Sequence, residues 1–398
     1  MSVTHSLPVS DVDIYSDDVL HDPYDAYRAL RDAGPAVRLT SHPVWVISRY
    51  ADVRAALADA VVFSSASGVG VVDEMNALYS GTVLASDDPE HALLRSILSE
   101  KLAPKALIAL RAAIAEQADA LVAEAVAEGS FDAVTDLAAR LPVDVVADLI
   151  GLPDEGREVL LPGADAMFTG FGPMNARLQQ RMPDVMAYVE YMTAMTSRDK
   201  LAAGSWGAAI LDAVDDGRLA PESAMPLMAA YLIASMDTTV HSLGNYLRLL
   251  TENPDLWQRL KADPGLIGSG FEENLRLDSP VQSLTRVTTK DADVDGTVIP
   301  AGSRVVLCFG SANRDERKYS DPDRFDLDRN PVDHLAFGYA THGCAGQGLA
   351  RLEAQALIGS LLRRVERIEP AGEPVRHLNP VIRGLAHLPV TVVPAGED

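Results

Sequence analysis

Phe337-Gly338-Tyr339-Ala340-Thr341-His342-Gly343-Cys344-Ala345-Gly346 leads directly into the amphipathic run Gln347 to Arg364. The stretch reads as a loop that delivers one thiol to the start of a helix. Unpaired backbone N–H groups and the positive end of the helix dipole favour a thiolate there. Gly343 and Gly346 flank the sulfur and let the backbone approach something large and flat. An isolated cysteine is more often a small buried hydrophobe, and Cys344 taken alone would be read that way.

The rest of the composition narrows the setting. With 398 residues and 47% apolar content the chain can bury a large core, and length alone suggests two or three domains. Lys and Arg total 34 against 57 Asp and Glu, a formal charge of −23, which argues against nucleic acid or an anionic membrane as partner. Cys308 and Cys344 are the only cysteines, too few for a disulfide framework, so a reducing, cytoplasmic setting is expected. Met1 to His5 lacks a charged region leading into an apolar core. The longest apolar stretch, Ala224 to Met236, is too short to span a bilayer and ends at Asp237.

Periodicity predicts a helix-rich chain. A helix over Pro23 to Ala33 is followed by strands over Ala36 to Leu39 and Val44 to Ser48 and a helix over Ala51 to Ala58. From Phe63 to Asp87 the pattern is lost in Ser, Gly and Val, which reads as a long functional loop. Asp88-Pro89-Glu90 opens a helix carrying His91 and Arg95 on one face. Further helices are expected over Pro104 to Ala127, Phe131 to Gly151 and Asp154 to Leu161. Phe168 to Pro173 then forms a roof loop before a helix that starts near Asn175. The longest helix, Pro221 to about Thr251, is apolar nearly all round in its first half and therefore buried, yet it contains Asp237 and Thr238. Thr238 can bond back to its i−4 carbonyl, and Asp237 can pair with a distant arginine. Glu273 and Arg276 share a helix face, strands are expected over Arg286 to Thr289 and Val305 to Phe309, and Val381 to Val393 reads as a final hairpin.

Phe337, Gly338, His342, Cys344 and Gly346, with Leu349-Ala350-Arg351-Leu352-Glu353, resemble the haem-binding signature of the cytochrome P450 family. Ala234-Ser235-Met236-Asp237-Thr238 resembles its oxygen-activation motif. Asp87-x-Pro89-x-His91-x-x-x-Arg95, Glu273-x-x-Arg276, Pro322-x-Arg324-Phe325 and Ala312-Asn313-Arg314-Asp315 match further blocks, so the resemblance covers about Asp22 to Val393. Two departures stand out: Ala340 and Ser235 occupy positions where the family favours glycine.

The resemblance implies one large domain over residues 1–398, mainly helical with a small β portion, that binds haem b (iron protoporphyrin IX) through Cys344. It implies that His91, Arg95, Arg286 and His342 hold the propionates, with Phe337, Gly338 and Ala234 against the cofactor. Glu273, Arg276 and Arg324 would lock the cysteine loop, while Asp237 and Thr238 would handle protons during O2 activation. It further implies a monomeric monooxygenase of the soluble bacterial kind, fed electrons by a ferredoxin and its reductase. A basic spot at Arg95, Lys101, Lys105 and Arg351 would receive the ferredoxin.

Ser67 to Gly70, Phe171-Gly172-Pro173 and Ser279 to Gln282 look closest to the group that oxidises para-substituted benzoates and related small aromatics. A benzoate carboxylate needs a cation or several donors. No Lys or Arg occurs from Ala55 to Leu94, Ala230 and Ile233 are small or apolar, and Arg177 and Arg181 are expected to face solvent. The expected substrate is therefore a neutral or weakly polar aromatic or terpenoid, hydroxylated or O-dealkylated, with a benzoate as the alternative. Val69, Phe168, Phe171 and Ile233, with Ala234, Val281, Leu284 and Val381, are the expected pocket residues. A haem-thiolate sensor without turnover and a helical binding protein with a structural cysteine are the rival classes; the Asp237-Thr238 pair favours an enzyme.

Overall fold

The buried axis of the molecule is the helix Pro221–Glu252, in a computed structural model that describes residues 7–396. Proline at its first position and Glu222 in its first turn suit an N-terminus, where the amide donors have no helical acceptor. Its surface is covered by the helices Arg140–Ile150, Leu160–Thr169, Trp206–Asp215 and Ile267–Leu277, which explains the near absence of a polar face. The helix Gln347–Arg364 packs along Pro104–Glu128 below it.

The main sheet lies beside this body with strand order Val9–Ser10, Val37–Leu39, Trp45–Ile47, Arg304–Cys308, Ser283–Thr288, Phe63–Ser64. Ser283–Thr288 runs antiparallel to Arg304–Cys308 with Arg286 opposite Val305, which pins Arg286 to a buried edge of the cavity. Cys308 is buried in this sheet as a small hydrophobe.

Several local expectations are corrected. Phe63 to Asp87 is not structureless, since it carries the strand Phe63–Ser64 and the short helices Asp73–Asn76 and Ala77–Tyr79. The segment expected as one helix from Phe131 is a strand Ser130–Asp132, a wide turn of helix Ala133–Ala138 and then Arg140–Ile150. The expected helix over Asp154 to Leu161 begins later and runs on as Leu160–Thr169, so Phe168 is helical and only Phe171 lies on the roof loop. Arg383–His387 and Pro389–Pro394 are not one hairpin. The first pairs with Val375–Leu378, and the second with Val365–Pro370 and Ser130–Asp132. Among the described residues no helix is long and apolar enough to cross a membrane.

Candidate active site

Cys344 stands between two hollows, a large apolar cavity of about 360 Å³ above it and an open cleft below. Its backbone N–H donates to Phe337 O at 2.7 Å, and that of Gly343 donates to Ala340 O at 2.9 Å, so the loop folds back on itself just before the helix. Gly338 has φ +68° and Ala340 φ +56°. The left-handed conformation at Ala340 is sterically unfavourable for any residue with a Cβ. Ala340, standing where glycine was expected, thus holds a strained turn.

The expected thiolate is corrected in one respect. Burial is the strongest influence on Cys344 and raises its pKa above the usual thiol value. The N–H groups of Gly346 and Gln347 and the charges of Arg95 and Arg351 pull the other way without prevailing. The helix start therefore tempers the burial penalty, and a metal cation has to supply the rest of the stabilisation.

At one edge of the cavity, groups that want an anion converge. Arg286 is 3% exposed, and its only side-chain hydrogen bond among the described residues is to the carbonyl of Thr285, at 2.7 Å. Burial pushes its pKa down to about 10, with Asp87 opposing. Asp87 itself is engaged by Ser64 and the N–H of Ser65. His91 and His342 face each other with ring centroids 4.5 Å apart, and Nε2 of each is buried without a partner among the described residues. His342 is held neutral, its pKa lowered to about 3 by burial first and then by Arg286, His91 and Arg95. Arg95 donates to Gly343 O at 2.8 Å, tying this edge to the cysteine loop. Orphaned donors, an unpaired buried arginine and a thiol at the floor of one apolar slot fit a flat metal macrocycle with acidic arms.

On the opposite wall, Thr238 Oγ1 donates to the carbonyl of Ala234 at 2.7 Å, the back-bonded arrangement open to it from sequence. With its proton so engaged, the oxygen can still accept a hydrogen bond from the cavity, which it lines together with Ala234 and Ser235. Asp237 is 1% exposed and turned away from the cavity. Its Oδ1 lies 3.3 Å from Nε2 of His241 rather than beside an arginine.

Of the expected pocket residues, Phe168, Phe171, Ile233, Ala234, Val281 and Leu284 line the cavity, as do Phe337 and Gly338. Val69 and Val381 do not. Val69 is fully buried behind the wall, its carbonyl bonded to Thr285 N–H at 2.9 Å, and Val381 bonds Gln282 N–H at 2.7 Å. The reading from sequence missed Tyr79, Tyr188, Met192 and Tyr231. Tyr79 bonds Met167 O and stacks near Phe171, and Tyr188 bonds Ala229 O at 3.1 Å, so both turn their apolar faces to the chamber. Tyr231 sits seven residues before Thr238, two helical turns on the same stripe, a spacing that could have revealed it. Arg177 and Arg181 are not free at the surface, being paired with Asp17 and Asp165.

The support for the cysteine loop is also corrected. Arg276 donates to Glu273 through Nε at 2.6 Å and Nη2 at 2.8 Å, with both side chains fully buried. The second arginine on Glu273 is Arg329, at 3.0 Å, while the Arg324 side chain is 66% exposed beside Asp326. Arg324 contributes its carbonyl to Arg276 at 3.2 Å. The tight turn at Asp321, with φ +45°, precedes Arg324 and the chain turns again before Arg329, which brings the later arginine back onto the buried pair. Nearby, Arg351 is held by Glu272 at 2.6 Å and lies over the Phe337 ring at 4.8 Å.

Comparison with known proteins places these features in context. The model of the family described as Cytochrome P450 matches residues 269–389, which include Glu273, Arg286 and Cys344. Cytochrome p450 CYP199A2 of Rhodopseudomonas palustris is 39% identical over 98% of this chain and 95% of the relative. The cytochrome P450 monooxygenase PikC of Streptomyces venezuelae is 33% identical over 97% of this chain and 95% of the relative. The structure of CYP109E1 from Bacillus megaterium in complex with testosterone superposes with a TM-score of 0.86 at 29% identity, covering 94% of this chain and 99% of that one.

Proposed function

Because this chain belongs to the cytochrome P450 family, and so is a haem-binding monooxygenase, we propose that it oxidises a small neutral aromatic or terpenoid with electrons from a ferredoxin. In the overall reaction one atom of O2 enters a C–H bond of the substrate and the other leaves as water, consuming two electrons and two protons. Hydroxylation beside an ether oxygen would release the O-alkyl group.

The observation that carries the substrate class is the charge distribution in the cavity. Its only lining cations among the described residues are Arg95 and Arg286, which belong to the anion-binding edge with His342. The chamber around Phe168, Phe171, Ile233, Val281 and Leu284 offers a carboxylate no counter-charge. A buried unpaired carboxylate costs several kcal/mol, so a neutral ring is favoured over a benzoate. The hydroxyl of Tyr231 is buried without a partner among the described residues and would be available to a weakly polar substrate.

Bound haem supplies O2 binding and the redox chemistry, through a cysteinate that favours O–O cleavage. In this chain Cys344 would hold its iron, and Arg286, Arg95, His91 and His342 would receive its acidic arms. Thr238 would hold a hydrogen bond at the oxygen side while Asp237 supplies protons from the interior. The ferredoxin would dock on the Cys344 side at the basic spot Arg95, Lys101, Lys105 and Arg351, the last of which also borders the cleft there, and electrostatic complementarity would set its docking rate.

Optical titration of the ferric protein tests the substrate reading. Neutral para-substituted aromatic ethers are expected to convert the haem from low to high spin and to yield oxidised product. Tight conversion by para-methoxybenzoate, with none by neutral analogues, would establish the benzoate alternative instead. For the electron donor, a ferredoxin reduction rate that falls steeply with salt is expected, and a salt-independent rate would count against the basic docking spot.

A further inference from the structure

Behind the oxygen-side wall lies a cluster of buried titratable groups that runs from Asp237 through His241 and His377 to Asp165 and Arg181. Asp237 Oδ1 is 3.3 Å from His241 Nε2, one helical turn on, and Asp237 Oδ2 has no partner among the described residues. His241 is 5% exposed, and its Nδ1 is likewise without a partner. That nitrogen abuts Gly384, where an added Cβ would come within 2.0 Å of it. A proton on Nδ1 would be a buried donor with no acceptor, so the arrangement assigns His241 as a neutral ring with its proton on Nε2, facing Asp237.

The other face of His241 stacks on His377, with centroids 4.9 Å apart and planes at 12°. His377 Nε2 lies 2.6 Å from Asp165 Oδ1, which also accepts from Asn379 Nδ2 at 2.9 Å. Arg181 pairs with Asp165 and reaches Asp184 at 3.0 Å. Burial opposes charge on His377, yet the hydrogen bond and charge of Asp165, aided by Asp237, raise its pKa despite Arg181. A charged His377 disfavours a second charge on the ring stacked against it. The groups facing the pair are thus Asp237 on the long helix, Asp165 on the roof helix, Arg181 and Asp184 on the helix Ala176–Met195, and Arg376, whose Nη1 donates to Gly384 O at 3.2 Å.

We propose that His241 is a positioning residue for Asp237: stacked on His377, it holds one carboxyl oxygen and leaves the other free to carry a proton toward Thr238. His241 keeps its Nε2 proton throughout. The proton that Asp237 passes on through Oδ2 is replaced from solvent, so no net charge accumulates in the cluster. This inference rests on the role given to Asp237 under the proposed function. It adds that the side chain one turn on, and the hairpin residue behind it, govern how Asp237 is presented.

The experiment combines spectroscopy and coupling. In the diamagnetic reduced carbon-monoxide form labelled with 15N-histidine, the His241 ring is expected to carry a proton on Nε2, facing Asp237. His377 is expected to titrate above the ordinary imidazole value of about 6.5. Asp165→Asn should lower the His377 midpoint. In turnover, His241→Phe and Asp237→Asn should each lower product formed per O2 several-fold, with a changed pH profile for His241→Phe. His241→Gln, which retains an N–H donor, should restore most of the coupling. A His241 with its proton on Nδ1 and none on Nε2 overturns the proposal, as does a His241→Phe variant coupled like the parent while Asp237→Asn is uncoupled. An Asp237→Asn variant as well coupled as the parent removes the relay itself, a different failure.

Discussion

Arg329 donates to Glu273 at 3.0 Å across a separation of 56 residues, completing an ion-pair group whose other member, Arg276, is fully buried. This contact joins the helix Ile267–Leu277 to the segment that leads into the cysteine loop. Replacing Arg329 by Ala leaves part of a buried carboxylate unpaired and should cost about 2 kcal/mol. Replacing the exposed Arg324 should stay within about 0.5 kcal/mol. Thermal denaturation, with the carbon-monoxide difference spectrum as a measure of retained haem-thiolate, distinguishes the two. Equal losses would show that Arg324 shares the load.

Ala340 has φ +56°, a conformation that glycine adopts without steric penalty. Ala340→Gly should relieve about 1 kcal/mol of backbone strain, partly offset by the greater freedom of glycine in the unfolded chain. The expected result is a rise of a degree or more in melting temperature with an unchanged Soret spectrum. A fall would mean that the Ala340 methyl group makes a contact worth more than the strain.

Arg286 is buried with one carbonyl as its side-chain partner, so it is a liability until an anion arrives. Arg286→Leu should weaken haem retention by an order of magnitude or more. The haem-free protein should become as stable as the parent or more stable by about 1 kcal/mol or more. Melting temperatures with and without haem, together with the rate of haem transfer to apomyoglobin, check both arms. Loss of stability in the haem-free protein would show that Arg286 supports the sheet directly.

Glu353 is fully buried, neither of its oxygens has a partner among the described residues, and burial pushes its pKa up to about 8. The folded state therefore keeps a proton that the unfolded chain releases near its ordinary value of about 4.3. The unfolded state binds fewer protons across this window, so stability is fully present below the unfolded pKa and declines as pH rises toward 8 and beyond. Glu353→Gln removes this dependence. The variant should match the parent near pH 5 and exceed it near pH 9, as read from melting temperatures at the two values. A constant difference would place a counter-charge beside Glu353.

Features carried by neighbours along one element were legible in sequence because helical geometry alone decides which side chains share a face. Glu273 with Arg276 and His91 with Arg95 are of this kind, and so is the delivery of Cys344 to a helix start. The alternation of short strands likewise foretold Ser283–Thr288 and Arg304–Cys308 to within a few residues. Less legible were the segments where a strand or turn interrupts a helical pattern, as at Ser130–Asp132, whose β character comes from pairing with Pro389–Pro394.

From its order of residues alone, then, this protein carries a buried central helix with an acid and a hydroxyl in it, a thiol at a loop–helix junction, and an overall helix-rich form. Only the tertiary structure decided that Arg329 rather than Arg324 meets Glu273, that Val69 and Val381 stand behind the cavity wall, and that Asp237 turns toward His241. Asp165 and His377 meet across 212 residues. No local period encodes such a pairing, because it depends on where separate helices and strands come to rest when they bury their apolar faces together.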